Sequence, residues 1–432
     1  MKLFNKKWSG IAIGLLFIFV FSLGLFAQNK PYAGTTITIT SLNAAWADAA
    51  IAMLPEFEQL TGIKVIWEPL PFDSIHEKQV TDMAAGMGTY DVISFDNPWL
   101  AEFAGSGWLE DLTSYVKKTN FPINDYPAQL MEYWNFNGKL VALPFQPDCR
   151  MIFYRKDLFD KAGFTFAPRY WDEFQLAAEK LTNVQENIYG WDFSPARTIV
   201  ALVELLPWIW ANDGNLFDKN LKPVINSPQA VEALNYYVSL KKFAPSGIET
   251  RLWDELLNNT LQGLTAMSVQ PSVFAGKMDD PKLSKVVGKI GYFPVPYPKG
   301  GKMSAAIGGW SLAIPVSSKN KEAAWELIQF LASTEIEKKM ALTPGSASTP
   351  VRISTLSDPE IRQQEYIATF LESLRVASYS NNAKIVEWAE IQDYFTLAIQ
   401  KAVMGQSTPQ QAFDELNDKV YEIMDKAGYY KE

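Results

Sequence analysis

From residue 36 the chain alternates. Thr36-Ile37-Thr38-Ile39-Thr40 places an isoleucine at every second position, the period of a strand with one buried face. The period then changes. Trp46, Ala49, Ala50, Met53, Leu54, Phe57 and Leu60 recur at spacings of three and four, which predicts a helix stopped by Thr61-Gly62. Ile63-Lys64-Val65-Ile66-Trp67 reads as a second strand. Ser74 with Glu77 fits a capping box that starts a helix to about Ala85. Tyr90-Asp91-Val92-Ile93-Ser94-Phe95 is a third strand. Strand, helix, strand, helix, strand at this spacing predicts a parallel sheet with crossover helices. Ligands of such sheets sit outside the carboxyl ends of the strands. Those ends open into "TSLNAAW" (40–46) and "FDNPWL" (95–100), each with short polar groups beside a tryptophan.

Further along, Leu140-Val141-Ala142-Leu143 predicts a strand running into "PFQPDCRMIFYRKDLF" (144–159). Phe174, Ala177, Ala178 and Leu181 mark a helix. Another begins at Ser227, an N-cap followed by Pro228 at the first helical position. "GLTAMSV" (263–269) is a strand that gives way to "QPS", and "IGGWSLAIP" (307–315) is a buried strand entered through two glycines. Ala324, Leu327, Ile328 and Leu331 form an amphipathic helix. Two more run through Trp388, Ile391 and Phe395 and through Phe413, Leu416, Val420 and Ile423. There is no internal repeat.

The first residues break this pattern. Lys2, Lys6 and Lys7 precede an apolar run from Ile11 that continues to Leu25, and Ala27 offers a small residue at a cleavage point. This predicts a secretory signal over residues 1–27. An uncleaved anchor is the alternative, because the run approaches spanning length. Without those residues the chain has 36 basic and 48 acidic side chains, a net charge of −12, and no basic stripe, which speaks against nucleic acid as a partner. At 432 residues with 48% apolar and 20% charged side chains, the chain is long enough for two lobes and too polar for a polytopic membrane protein. Cys149 is the single cysteine, so no disulfide forms, no lipid-anchor cysteine follows the leader, and no thiolate metal cluster exists. The leader and the missing anchor together predict a periplasmic protein.

The segments resemble a family when taken in order: "YDVISFDNPWLAEFAGSGWLEDLT" (90–113), "GKLVALPFQPDCRMIFYRKDLFDKAG" (138–163), "YWDEFQLAAEKLT" (170–182), "PVINSPQAVEALNYY" (223–237), "IGGWSLAIPVSSKNKEAAWELIQFLAS" (307–333) and "PGSASTPVR" (344–352). The chain is similar to the maltose-binding-protein-like extracellular solute-binding proteins of family 1, the capture components of ABC sugar importers. The resemblance implies an α/β fold of two hinge-connected lobes, the type II-like periplasmic-binding-protein fold, each lobe a mainly parallel sheet flanked by helices. The chain would cross between lobes near 145–149, 305–309 and 345–350. Lobe 1 would hold residues 35–145 plus 309–344, and lobe 2 residues 149–305 plus 350–432. It also implies a carbohydrate ligand, an inner-membrane permease with its ATPase as partners, a monomer, and no cofactor or metal. The family's Gly-Trp loop after the "AM" strand is here Gln270-Pro271-Ser272-Val273-Phe274, so its aromatic is displaced to Phe274.

Sugars are recognised by pairing hydroxyls with planar polar groups and laying C–H faces on aromatic rings, for which indole is well suited. Trp46 and Trp325 lie on helical stripes and read as core. Trp310, Trp99, Trp191 and either Trp208 or Trp210 are the cleft candidates, with Trp210 chosen of that pair. Asn43, Asp96, Asn97, Gln146 and Asp148 sit at strand ends and are expected to bind hydroxyls, with a helix N-cap as the competing role for Asp96. Gln270, Phe274 and Gly309 complete the set. Arg197 is expected to meet a hydroxyl or a carboxylate, or to form a surface salt bridge. His76, the sole histidine, lies on a helix and reads as solvent-facing, so no catalytic triad is expected. Two alternatives remain beside sugar capture. One is a secreted glycan-cleaving enzyme; the other is the same scaffold binding a glycerol phosphodiester or a polyamine.

Overall fold

The structure, a computed structural model, describes residues 30–379 and 385–430. The expected leader lies outside them. Among the described residues, eight strands join into one connected sheet. They are β1 (Thr36–Leu42), β2 (Lys64–Leu70), β3 (Val92–Asp96), β4 (Leu143–Arg155), β5 (Met267–Pro271), β6 (Ile290–Pro294), β7 (Ala305–Ala313) and β8 (Ala377–Tyr379). β2, β1 and β3 are parallel neighbours, as the alternating βαβ pattern requires, with the helices Ala45–Thr61 and Phe72–Ala85 crossing between them. The second of these starts at Phe72 rather than at Ser74. Its N-cap is Pro71, and the Ser74 hydroxyl donates to the Pro71 carbonyl instead of capping.

Two strands carry the chain from one half of the sheet to the other. β7 pairs antiparallel with β3 (Asp96 opposite Trp310) and with the first half of β4 (Leu143 through Cys149). The second half of β4 is flanked by β5 and β6, also antiparallel. The mainly parallel arrangement therefore holds for the first sheet. In the second, β4 enters as a crossing strand running against its neighbours; among the described residues parallel pairing there takes the form of bridges such as Tyr189–Thr265 and Asp192–Ser268, while β8 lies parallel to the start of β7. A register shift at Phe145 bends β4 where it leaves the first sheet.

Two apolar clusters lie under the two halves. One gathers Ile37, Ile39, Phe57, Phe95, Leu312 and Trp325; the other gathers Phe174, Trp191, Trp208, Tyr237, Phe395 and Phe413. The first also takes in Val351, Leu356, Ile367 and Phe370. No helix among the described residues is long and apolar enough to cross a membrane.

Gly309 allows the two crossing strands to meet. Its φ is +124°, and a Cβ there would stand 2.2 Å from the Gln146 carbonyl oxygen on the facing strand. Neither the backbone angle nor the contact can be relieved without separating β4 from β7. Gly309→Ala is expected to lower unfolding free energy by about 3 kcal/mol or more, read by urea denaturation. A loss within a few tenths of a kcal/mol would show that the strand contact is soft.

Candidate functional site

A cavity of about 100 Å3 opens where β1, β3, β4 and β7 come together. Its floor is the β7 backbone from Ala306 to Gly309. One wall comes from the ends of β1 and β3, with Leu42, Asp96, Asn97 and Pro98, joined by Phe72 and Trp310. The opposite wall comes from the second sheet and its helices: Asp148, Arg150, Ile199, Val203 and Trp253. Asp96 and Leu42 are the carboxyl-terminal residues of parallel strands, the position where such sheets bind ligands.

Register brings the polar groups together. Gly308 faces Asp148 across the β4–β7 ladder, while Trp310 faces Gln146 on one side and Asp96 on the other. A Cβ on Gly308 would lie 3.3 Å from Asn97 Oδ1 and 3.6 Å from Asp148 Oδ1, so the glycine keeps the polar floor open. The Asn97 side-chain oxygen accepts from Gly309 N at 3.2 Å, and Tyr133 Oη donates to the Asn97 carbonyl at 2.8 Å. Asp96 Oδ1 accepts from Asn97 N at 2.9 Å. Asp96 therefore caps the short helix Asn97–Trp99 and lines the cavity at once. Burial, and next the neighbouring Asp148 carboxylate, push its pKa up to about 7.

Asp148 Oδ1 accepts from Arg150 Nη1 at 2.5 Å, and the guanidinium stacks over Trp253 at 5.0 Å from the ring centroid. Arg150 is 4% exposed, and its Nε is a buried donor without a partner among the described residues. The indole Nε1 of Trp253 is another. Trp253 starts the helix Trp253–Leu261, and that helix start is fixed from beneath. Arg251 pairs with fully buried Asp192, whose other oxygen accepts from Asn259 Nδ2 at 2.9 Å. Ser194 N donates to Glu204 Oε2 at 2.9 Å and the Tyr237 hydroxyl donates to the same oxygen at 3.2 Å, tying the 192–198 loop to the helix Ile199–Ala211.

The cavity thus unites five expected residues: Asp96, Asn97, Asp148, Gly309 and Trp310. The remaining eight do not line it. Trp310 is 9% exposed and packs on Trp46, Phe72 and Trp99, with Trp99 edge-on at 5.6 Å; Trp99 supports the cavity indole from behind. Asn43 is exposed beyond Leu42, its backbone N–H bonded to Leu70. Gln146 is buried, with its amide bonded to Ser348 and its oxygen accepting from Thr349 N at 3.0 Å, so it fastens β4 to the 344–350 segment. Trp191 is core, enclosed by Phe174, Phe193 and Trp208. Trp210 packs partly buried against the second cluster. Arg197 forms the surface alternative, a two-armed pair with Asp393. Gln270 is buried on Thr260 and Ser268, and Phe274 lies under Lys277. His76 is half-exposed, joined to Glu102 at 2.7 Å, stacked on Phe103 and tilted against Trp99. Arg150, Trp253, Phe72, Ile199 and Val203 are cavity residues that the sequence reading did not include. Arg150 had a signal, since it shares strand parity with Asp148.

A larger groove, about 760 Å3, runs between Ser272–Lys282 and Ala341–Ser348. Several of its polar groups are already used within the protein. Ser272 Oγ accepts from Cys149 N, Ser348 Oγ bonds Gln146, and Asp279 and Asp280 accept backbone N–H groups. The smaller cavity is lined by residues with buried donors that lack partners among the described residues, Arg150 Nε and Trp253 Nε1.

The sequence profile of the bacterial extracellular solute-binding protein matches residues 43–338. The chain belongs to that family. These are substrate-binding components of ABC transporters, not enzymes as a class. A probable amino-acid ABC transporter periplasmic-binding protein of Sinorhizobium fredii is 29% identical over 94% of each chain. The mannitol-binding protein of Pseudomonas aeruginosa is 27% identical over 95% of this chain and 97% of its own. Among solved structures, maltose-bound MalE3 of T. maritima is 29% identical with a TM-score of 0.81, covering 90% of this chain and all of that one. The two-lobe architecture is common to this chain and such structures.

Burial raises the Glu204 pKa to about 8, partly opposed by the Ser194 N–H and by Arg150. A folded pKa above the unfolded value means that folding takes up a proton. The stabilisation is full below the ordinary carboxylate pKa of 4.5 and is lost as pH rises through about 8. Glu204→Gln keeps the two accepted hydrogen bonds without the charge. Its unfolding free energy relative to wild type should therefore rise between pH 5 and pH 9 by on the order of a few kcal/mol, measured by urea denaturation at both pH values. A constant difference would place Glu204 in a solvated setting.

Proposed function

We propose that this protein captures one small neutral polyhydroxy ligand, a sugar alcohol or monosaccharide, in the cavity and delivers it to an ABC importer. One observation carries the reading. Two buried donors without partners among the described residues, Arg150 Nε and Trp253 Nε1, belong to the wall that also carries Asp148, and the Asp96 carboxyl lies on the opposite wall of a cavity lined by two indoles. Each ligand hydroxyl both donates and accepts, so adjacent hydroxyls satisfy both sets, while C–H faces lie on Trp310 and Trp253. The volume suits a short chain of hydroxymethylene units or one ring rather than two linked rings. The mannitol-binding relative supports that size class over the maltose-bound neighbour.

The lobes keep the expected bounds 35–145 plus 309–344 and 149–305 plus 350–432, crossing on β4, on β7 and at 345–350, except that Val351, Leu356, Ile367 and Phe370 pack in the cluster of the first lobe. Because the two walls of the cavity come from different lobes, ligand binds the closed form better and shifts the population toward it. The working context is a periplasm reached through the leader 1–27, with a permease and its ATPase as partners; the protein acts as a monomer without nucleic acid, metal or catalysis. A glycan-cleaving role would need free reducing ends to accumulate when oligosaccharides are incubated with the protein, and none are expected.

Isothermal titration calorimetry should show saturable binding of D-mannitol or ribitol and none of maltose. Trp253→Ala and Gly308→Ala should each weaken that binding at least tenfold while shifting Tm by only a few degrees, since one indole donor is lost and one methyl enters the floor. Tight maltose binding with silent polyols would overturn the size class. Release of reducing ends would overturn the capture role.

A further inference from the structure

The cavity holds two carboxylates and one cation, and the cation is already engaged. Asp148 and Arg150 stand two residues apart on β4, on the same face of the strand, with Nη1 donating to Oδ1 at 2.5 Å. The guanidinium plane lies over Trp253. Asp148 takes only Nη1, so what it withholds from an anion is charge rather than every donor: the pair is neutral as it stands, and Nε is left as a donor for a neutral hydroxyl. No ion pair reaches Asp96 among the described residues, and its side chain faces the same space. An anionic ligand would bring a third negative group to one cation in a site shielded from water.

We propose that the Asp148–Arg150 pair is a charge filter: Asp148 neutralises the one cation of the cavity and, with Asp96, leaves it without positive charge to spare, so it disfavours acid sugars, amino-acid carboxylates and sugar phosphates while admitting neutral polyols. This rests on the polyol reading above. Asp148 is here a specificity-determining residue as well as a hydroxyl acceptor. Removing its charge would release Nη1 and turn the same cavity toward carboxylates.

The test compares matched pairs that differ only at one terminal carbon, D-mannitol with D-mannonate and ribitol with ribonate, by calorimetry at pH 8. Wild type should prefer each alcohol over its acid by at least tenfold in Kd. Asp148→Asn should lower that preference by at least tenfold, whatever it does to the absolute affinities. Asp96→Asn, which leaves the arginine pair intact, should lower it less. If wild type binds acid and alcohol equally, the filter is overturned and the polyol reading stands. If the alcohol-to-acid ratio of Asp148→Asn equals that of wild type, or if Asp148→Asn is unfolded and Asp96→Asn lowers the ratio by tenfold alone, Asp148 is not the filter. If neither series binds, the polyol reading falls and the filter with it.

Discussion

The antiparallel pairing of β4 with β7 is the contact on which both architecture and site depend. It is made between Leu143–Cys149 and Ile307–Leu312, and it is close because Gly309 offers no Cβ to the Gln146 carbonyl. Past this contact β4 continues into the second sheet, while β7 returns to the first beside β3. The same register that joins the lobes sets Gly308 against Asp148 and Trp310 against Asp96. Hinge and binding floor are therefore one piece of backbone. A change that loosens the ladder alters both.

The chemistry of the cavity follows from what each side brings. The first sheet supplies strand-end polar groups, fixed by short local bonds such as Asn97 N to Asp96. The second supplies a guanidinium and an indole donor, fixed by a buried network below them that runs through Asp192, Arg251, Ser194 and Glu204. Holding those carboxyls away from water is costly, as the raised pKa values of Asp192 (about 6) and Glu204 (about 8) indicate. The return is a rigid start to the helix Trp253–Leu261. In the proposed function, a group that touches both sides satisfies donors and acceptors together, which would give a ligand its differential affinity for the closed form.

Much of this was legible in the sequence because it depends on period and on strand ends. The alternation at Thr36–Thr40 and the helical stripe after Trp46 pointed to the βαβ sheet, the end of β3 pointed to Asp96 and Asn97, and the Gly-Trp pair within β7 pointed to Gly309 and Trp310. What could not be read depends on contacts far apart in the chain. Trp191 looks like a loop tryptophan, but Phe174 and Trp208 close over it. Trp253 looks like an ordinary helix residue until Arg251 reaches Asp192, 59 positions earlier. Gln146 shares strand and parity with Asp148, yet the bulge at Phe145 and the 344–350 segment turn it into a hinge fastener. Ser74 shows a local rule losing to Pro71, which starts the helix first.

A crystal structure of the protein grown with D-mannitol tests the central claim most directly. The ligand is expected to lie over Gly308, with hydroxyls within hydrogen-bonding distance of Asp96, Asp148 and the Trp253 indole nitrogen, and β4 and β7 still paired through Gly309. A ligand bound instead in the groove between Ser272 and Ser346, or one that leaves Asp96 and Trp253 without contact, would contradict it.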